Sequence, residues 1–220
     1  MIKLVAFDLD GTIGNTIPMC ISAFKKAVTP YASTELTEVV ITKTFGLSEE
    51  GMIKKIVGND WESALSDFYI IYEQLHILCP HPLNGIKELI EELKGNSIFV
   101  ALITGKGEKS CAITLQQFGM EGYFDTIATG SPVRNRKAEA MSELLVDYNL
   151  HPSEMVYIGD DISDITACSE AGIVCLSAAW IASPSNIEKL EKENQENLFY
   201  SIESLREFLI KETQRYSFSK

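Results

Sequence analysis

The chain has 220 residues, 45% apolar and 23% charged, with 19 basic against 31 acidic side chains and a formal charge of −12. That length suits one domain, or a core with a smaller insert. The acidity opposes any broad electrostatic grip on nucleic acid or an anionic membrane. Five cysteines without a CxxC pair read as thiols of a reducing, cytoplasmic compartment, not as a disulfide framework or zinc site. The N-terminal apolar run is too short for a signal peptide, and no stretch reaches the roughly 18 apolar residues of a membrane span.

Ile2–Phe7 is a continuous apolar run ending at Asp8, the pattern of a buried strand. Residues 16–80 then carry no strand but four helical patterns, over Ile17–Val28, Leu36–Thr44, Glu49–Val57 and Trp61–Leu78. In the last, Trp61, Leu65, Phe68, Tyr69, Tyr72 and Leu75 recur at spacings of three and four, an apolar stripe that reads as the core of a helical cap. Such an insert is too long for a strand-to-helix connection. Cys79-Pro80-His81-Pro82 marks the return.

From there apolar runs alternate with amphipathic helices. Helix Gly85–Lys94 leads to strand Ser97–Ile103, helix Glu108–Phe118 to a weaker strand Asp125–Ala128, and helix Lys137–Tyr148 to strand Met155–Ile158. Helix Asp164–Glu170 and strand Ile173–Leu176 follow. A polar stretch, Ser185–Asn197, precedes a helix near Ile202–Ile210, and residues 215–220 read as a frayed tail. The alternation predicts an α/β, Rossmann-like parallel sheet covered by helices on both faces, built from residues 1–15 and 82–220, with an α-helical cap at 16–81.

In such sheets ligands bind beyond the carboxyl ends of the strands, where Asp, Thr and Gly gather here. Asp8-Leu9-Asp10-Gly11-Thr12 places two carboxylates two residues apart at the end of the first strand. Like charges so close are costly unless a cation neutralises them or one is protonated; the bland alternative is an acidic turn. Gly159-Asp160-Asp161-Ile162-Ser163-Asp164 offers oxygens for a hard cation, although Asp164 serves equally as a helix cap. Two Asp clusters at two strand ends together argue for a metal. Thr104-Gly105-Lys106 presents a hydroxyl and backbone N–H groups suited to a phosphate oxygen, while a plain turn explains it as well. Arg134-Asn135-Arg136-Lys137 is a basic cluster from which either arginine rivals the lysine for a place in the site. His76, His81 and His151 share no ligand spacing and read as surface or cap residues. Other phosphate motifs fail: Met52 stands where a P-loop needs lysine, and Cys111 lacks an arginine six residues on.

The ordered set DLDGT, ITGK, a lysine opening a later helix, and GDDISD resembles the four motifs of the haloacid dehalogenase-like hydrolases. The resemblance runs from the first strand to about Trp180 and includes Glu170-Ala171-Gly172-Ile173 and the Ser177–Trp180 loop. The inserted helices resemble the family's C1-type cap. The resemblance implies that Asp8 attacks phosphorus to form an aspartyl-phosphate. Asp10 would protonate the leaving oxygen and then activate water. Mg2+ would be held by Asp8, Asp160 and the Asp10 carbonyl, with Asp161, Asp164 and Thr12 supporting it from behind. Thr104 and the Gly105 N–H would hold the phosphoryl oxygens, and Lys137 would neutralise charge.

The implied partner is a small phosphorylated metabolite (phosphoglycolate-like, a sugar or a nucleotide phosphate), with no nucleic acid or membrane partner, for a monomer or weak homodimer. Asp10 speaks against the dehalogenase branch. The β-phosphoglucomutase branch keeps both aspartates and stays open, but Thr44-Phe45-Gly46-Leu47-Ser48 looks more like the specificity loop of phosphoglycolate phosphatase-like members. A noncatalytic protein on this fold should have lost one of the aspartates, and none is missing. Asn15 stands where relatives commonly carry an acidic residue; Asn15-Thr16 still offers a cap for the helix that follows.

Overall fold

The computed structural model describes residues 1–214, so the expected tail lies outside the described residues. In chain order the elements are β1 (Leu4–Phe7), α1 (Ile17–Val28), α2 (Glu38–Thr42), α3 (Glu49–Val57), α4 (Trp61–Leu75), α5 (Ile86–Gly95), β2 (Phe99–Ile103) and α6 (Glu108–Phe118). There follow β3 (Thr126–Ala128), α7 (Lys137–Asp147), β4 (Met155–Gly159), α8 (Ile162–Ala171), β5 (Val174–Ala178), α9 (Pro184–Asn194), β6 (Leu198–Phe199) and α10 (Ile202–Gln214).

All four β1 residues are fully buried, because the strand is central and helices cover both faces. The strands form one parallel sheet in the order β3-β2-β1-β4-β5-β6, with Ala6 in register with Ala101 on one side and Tyr157 on the other. Successive side chains point to opposite faces. Val5 and Phe7 therefore join one core with α5 and α10, while Leu4 and Ala6 join another with α7 and α8. Chain order reverses about β1: β2 leaves on one side and β4 returns on the other. A crevice opens at that switch point, and it receives Asp8, Thr104 and Asp160.

The cap helices α1–α4 lie between β1 and β2. α1 packs on α4 through Phe24 and Phe68, whose ring centres are 5.0 Å apart, and Phe68 stacks on Tyr72 at 5.4 Å. The aromatic stripe is cap core, as its periodicity indicates.

Several expectations need correction. The second cap helix is one short turn and a half, Glu38–Thr42, started by the Thr37 side chain accepting from Val40 N–H. The fourth stops at Leu75 and tightens into a 3₁₀ turn over His76–Leu78. The polar stretch after Pro184 is a helix, α9, capped by Ser183, followed by a sixth strand paired with β5. α9 buries only Leu190, so it carries no apolar stripe to read, and a strand of two residues has no periodicity. Among the described residues no helix is long and apolar enough to cross a membrane.

Candidate active site

β1 delivers Asp8 to the crevice and holds it there, since the Asp8 N–H continues the ladder to Ile158 O at 2.8 Å. The chain then turns sharply at Gly11, whose φ is +81°. A Cβ at Gly11 would lie 2.1 Å from Asp160 Oδ2, so glycine alone lets this turn press against the second aspartate cluster. Buried Leu9 and Ile13 anchor the loop on either side of the turn.

Asp8, Asp160 and Asp164 each bring one carboxylate oxygen to within 4.8 Å of the others. Lys137, the first residue of α7, reaches into this group, with Nζ 3.1 Å from Asp8 Oδ2 and 2.6 Å from Asp164 Oδ1. Burial pushes the Asp8 carboxyl up to about 7 despite Lys137, with Asp164 and Asp10 adding to the rise. Burial, then repulsion from Asp8 and Asp164, raises Asp160 well above the usual carboxylate range. Burial opposes the charge on Lys137, but Asp164 and Asp8 more than offset it and keep the ammonium protonated.

Both Asp164 oxygens are engaged: Oδ1 by Lys137 and the Tyr157 hydroxyl, 3.2 Å away, and Oδ2 by the Asp161 N–H at 3.1 Å. Asp8 and Asp160 are thus left facing each other with one ammonium among three carboxylates. An all-oxygen donor set with surplus negative charge fits a hard divalent cation.

The remaining sites predicted from sequence fall as follows. Thr12 Oγ1 lies 3.5 Å from Asp160 Oδ1, and its carbonyl accepts from Trp180 Nε1 at 3.2 Å. Asp161 is exposed and caps α8, accepting from the Ser163 N–H, while Asp164 returns a bond to the Asp161 N–H. Asp161 and Asp164 are therefore both members of a capping box, and Asp164 is also the anchor of Lys137. Thr104 is buried, its N–H donating to Ala128 O and its hydroxyl oxygen accepting from Lys106 N–H. Thr104, Gly105 and Lys137 line one cavity of about 10 Å³, to which Gly46 of the cap also contributes. Gly130 packs so tightly there that a Cβ would lie 2.0 Å from Gly105 O. The two rival cations are paired with other groups: Arg134 with Glu139 at 2.6 Å, and Arg136, which also lines that cavity, with Glu143 at 3.0 Å.

Asp10 does not join the trio through its side chain. Its Oδ1 accepts from the Thr16 hydroxyl and lies 3.2 Å from Lys106 Nζ. Thr16 therefore opens α1 without capping it, because its hydroxyl is spent on Asp10.

Five contributors escaped the sequence reading. Tyr157 and Asn186 support Asp164 and the Asp160 carbonyl, the latter at 2.9 Å. Lys106 is almost wholly buried beside Asp10. Glu49, the first residue of α3, accepts from Gly107 N–H at 2.8 Å and Ser110 Oγ at 2.6 Å, tying the cap to α6. His76, expected at the surface or in the cap, is buried at the seam, with Nδ1 3.1 Å from Cys79 O and Nε2 3.1 Å from Thr114 Oγ1. Only Lys106 carried a signal, its place inside ITGK; the others depend on partners far away in sequence.

A family model of haloacid dehalogenase-like hydrolases matches residues 5–178. The chain belongs to that family. This hydrolase is 29% identical over 184 residues to a phosphoglycolate phosphatase of Vibrio vulnificus, covering 78% of this chain and 81% of the relative. It is 26% identical over 181 residues to the pyrophosphatase PpaX of Bacillus cereus, covering 81% and 84%. In structure it resembles a predicted phosphoglycolate phosphatase from Haemophilus somnus, with a TM-score of 0.75, 20% identity, and 94% and 98% of the two chains covered. The hydrolase is accordingly a phosphatase-type enzyme on a Rossmann-like core with an inserted helical cap.

Proposed function

We propose that this hydrolase is a Mg2+-dependent phosphatase of small phosphate monoesters, phosphoglycolate first among the candidates, acting through an aspartyl-phosphate. The observation that carries the reading is the buried Asp8 carboxylate at a strand end, faced by Lys137 at 3.1 Å and by Asp160 and Asp164. The carboxylates of Asp8 and Asp160, with the Asp10 carbonyl, would hold the Mg2+, which when bound supplies neutralising charge beside the phosphoryl group.

The chain's own groups divide the remaining work. Asp8 attacks phosphorus as a carboxylate. Lys137 offsets charge on Asp8 and on the incoming phosphoryl group, and Asp164 holds Lys137 in place. Thr104 and the Gly105 N–H bind phosphoryl oxygens. Asp10 gives a proton to the leaving oxygen and later takes one from water. The cap, residues 16–81, closes over the site about hinges near 14–16 and 79–82 and excludes bulk water. Five free thiols, four of them buried, accord with a reducing cytoplasm.

The purified protein assayed with Mg2+ on phosphoglycolate, pyrophosphate, hexose phosphates and nucleoside monophosphates tests the reading. Release of inorganic phosphate that stops with chelator and with Asp8→Asn is expected. Chelator-resistant turnover, or normal turnover by Asp8→Asn, would sink it. Phosphorus NMR on a hexose 1-phosphate would show a 6-phosphate before inorganic phosphate if the enzyme were a mutase.

A further inference from the structure

Lys106 lies on the loop between β2 and α6, with a side chain only 3% exposed. A buried ammonium gives up its hydration and persists only when well paired. Its Nζ lies 3.2 Å from Asp10 Oδ1, 3.1 Å from Cys20 Sγ and 4.0 Å from Glu49 Oε1, over the Tyr72 ring at 4.8 Å from the centroid. Asp10 comes from the core loop, while Cys20, Glu49 and Tyr72 come from the cap. Glu49 is itself fastened to the start of α6 by the Gly107 N–H and the Ser110 hydroxyl. The ammonium therefore sits where core and cap meet, and three of its four neighbours arrive with the cap.

We propose that Lys106 is a positioning residue for Asp10, and that Glu49 completes its placement when the cap is seated. Lys106 and Thr16 both hold Asp10 Oδ1. Neither takes Oδ2, which is left for the proton that Asp10 exchanges. The inference rests on the acid–base role proposed for Asp10. In that role, the ester P–O bond breaks with its electron pair going to the leaving oxygen, which receives the Asp10 proton as phosphorus bonds to Asp8. Water then attacks phosphorus and returns a proton to Asp10, as the P–O bond to Asp8 breaks and frees the Asp8 carboxylate and inorganic phosphate.

The test compares kcat/KM with Mg2+ for two esters: a dinitrophenyl phosphate, whose leaving group needs no proton, and an alkyl phosphate, whose leaving group does. Lys106→Met is expected to lose about tenfold or more on the alkyl ester but less than about threefold on the aryl one, with the loss in kcat rather than KM. Lys106→Arg should recover part of it. Glu49→Gln, which leaves Lys106 in place, should show the same selective loss at smaller size, so the test does not hang on one variant folding. Equal losses on both esters, or a higher KM with kcat intact, would overturn the inference and make Lys106 structural or substrate-binding. Asp10→Asn is the control. If it loses both esters equally, the acid–base reading falls and takes this inference with it; if it is selective and the Lys106 and Glu49 variants are not, only the inference falls.

Discussion

Lys137 and Asp164 are 27 residues apart in sequence and joined at 2.6 Å in the fold. One opens α7, the other lies in the first turn of α8, and each element feeds its side chain to the same strand-end crevice. Asp164 is fully buried, with both oxygens bonded. Removing it would leave Lys137 half-paired in the interior, so Asp164→Ala should lower the unfolding free energy by about 3–5 kcal/mol. Urea denaturation measures this. A loss under about 1 kcal/mol would show that water replaces the carboxylate freely.

The three neighbouring cations of residues 134–137 should behave differently. Arg134 and Arg136 form pairs with Glu139 and Glu143 at the surface, where such pairs contribute about 0–1 kcal/mol. Arg134→Ala and Arg136→Ala should keep turnover within about threefold. Lys137→Ala should lose about a hundredfold or more in kcat, the scale of one charge-stabilising group in a dry site. Steady-state kinetics on one phosphate ester separates them.

Gly11→Ala places a methyl group where Asp160 Oδ2 now lies, at a φ of +81° that side chains disfavour. Asp160 must move. The Mg2+ concentration giving half-maximal activity should rise about tenfold or more, the usual cost of displacing a metal site's support. Mg2+ titrations of the variant and parent at fixed substrate check this; an unchanged midpoint would detach Gly11 from the Asp160 geometry.

His76 gives the fold a defined response to acid. A carbonyl can only accept, so Nδ1 carries the proton toward Cys79 O, while Nε2 lies 3.1 Å from Thr114 Oγ1, whose hydroxyl also reaches Ser110 O at 3.0 Å. The ring is neutral, and burial holds its pKa below the ordinary 6.5. The unfolded chain therefore binds a proton that the folded chain refuses. The stability from this group is present above the unfolded pKa and is lost as pH falls below it. Denaturant midpoints at about pH 8 and about pH 5 should differ less for His76→Gln than for the parent. An identical difference in both would remove His76 as the cause.

Phe68 packs between Phe24 and Tyr72 with 1% exposure. Phe68→Ala should cost about 3–5 kcal/mol and loosen the α1–α4 pair. Thermal melts of the variant give its size, and a cost under about 1 kcal/mol would mean that the cap collapses around the cavity.

The features legible before folding are local in kind. An apolar run with no polar interruption must be covered on both faces, so the central strands of the core were legible, and carboxylates at strand ends mark the crevice of a parallel sheet. Asp8, Asp160 and Thr104 are accordingly where their positions in the pattern put them. Tertiary structure decided the rest, because each remaining feature is a pairing between distant segments. Lys137 was chosen over two equal charges because it reaches Asp8 and Asp164, while Arg134 and Arg136 pair with Glu139 and Glu143. Asp10 turned its carboxyl to Lys106, which has a burial no local pattern encodes. Glu49 reached Ser110 across 61 residues. α9 and the two-residue β6 were invisible because one buried leucine and two register pairs make no period. Periodicity records which side chains lose water, while the identity of the partner that repays a buried charge exists only once the chain has folded.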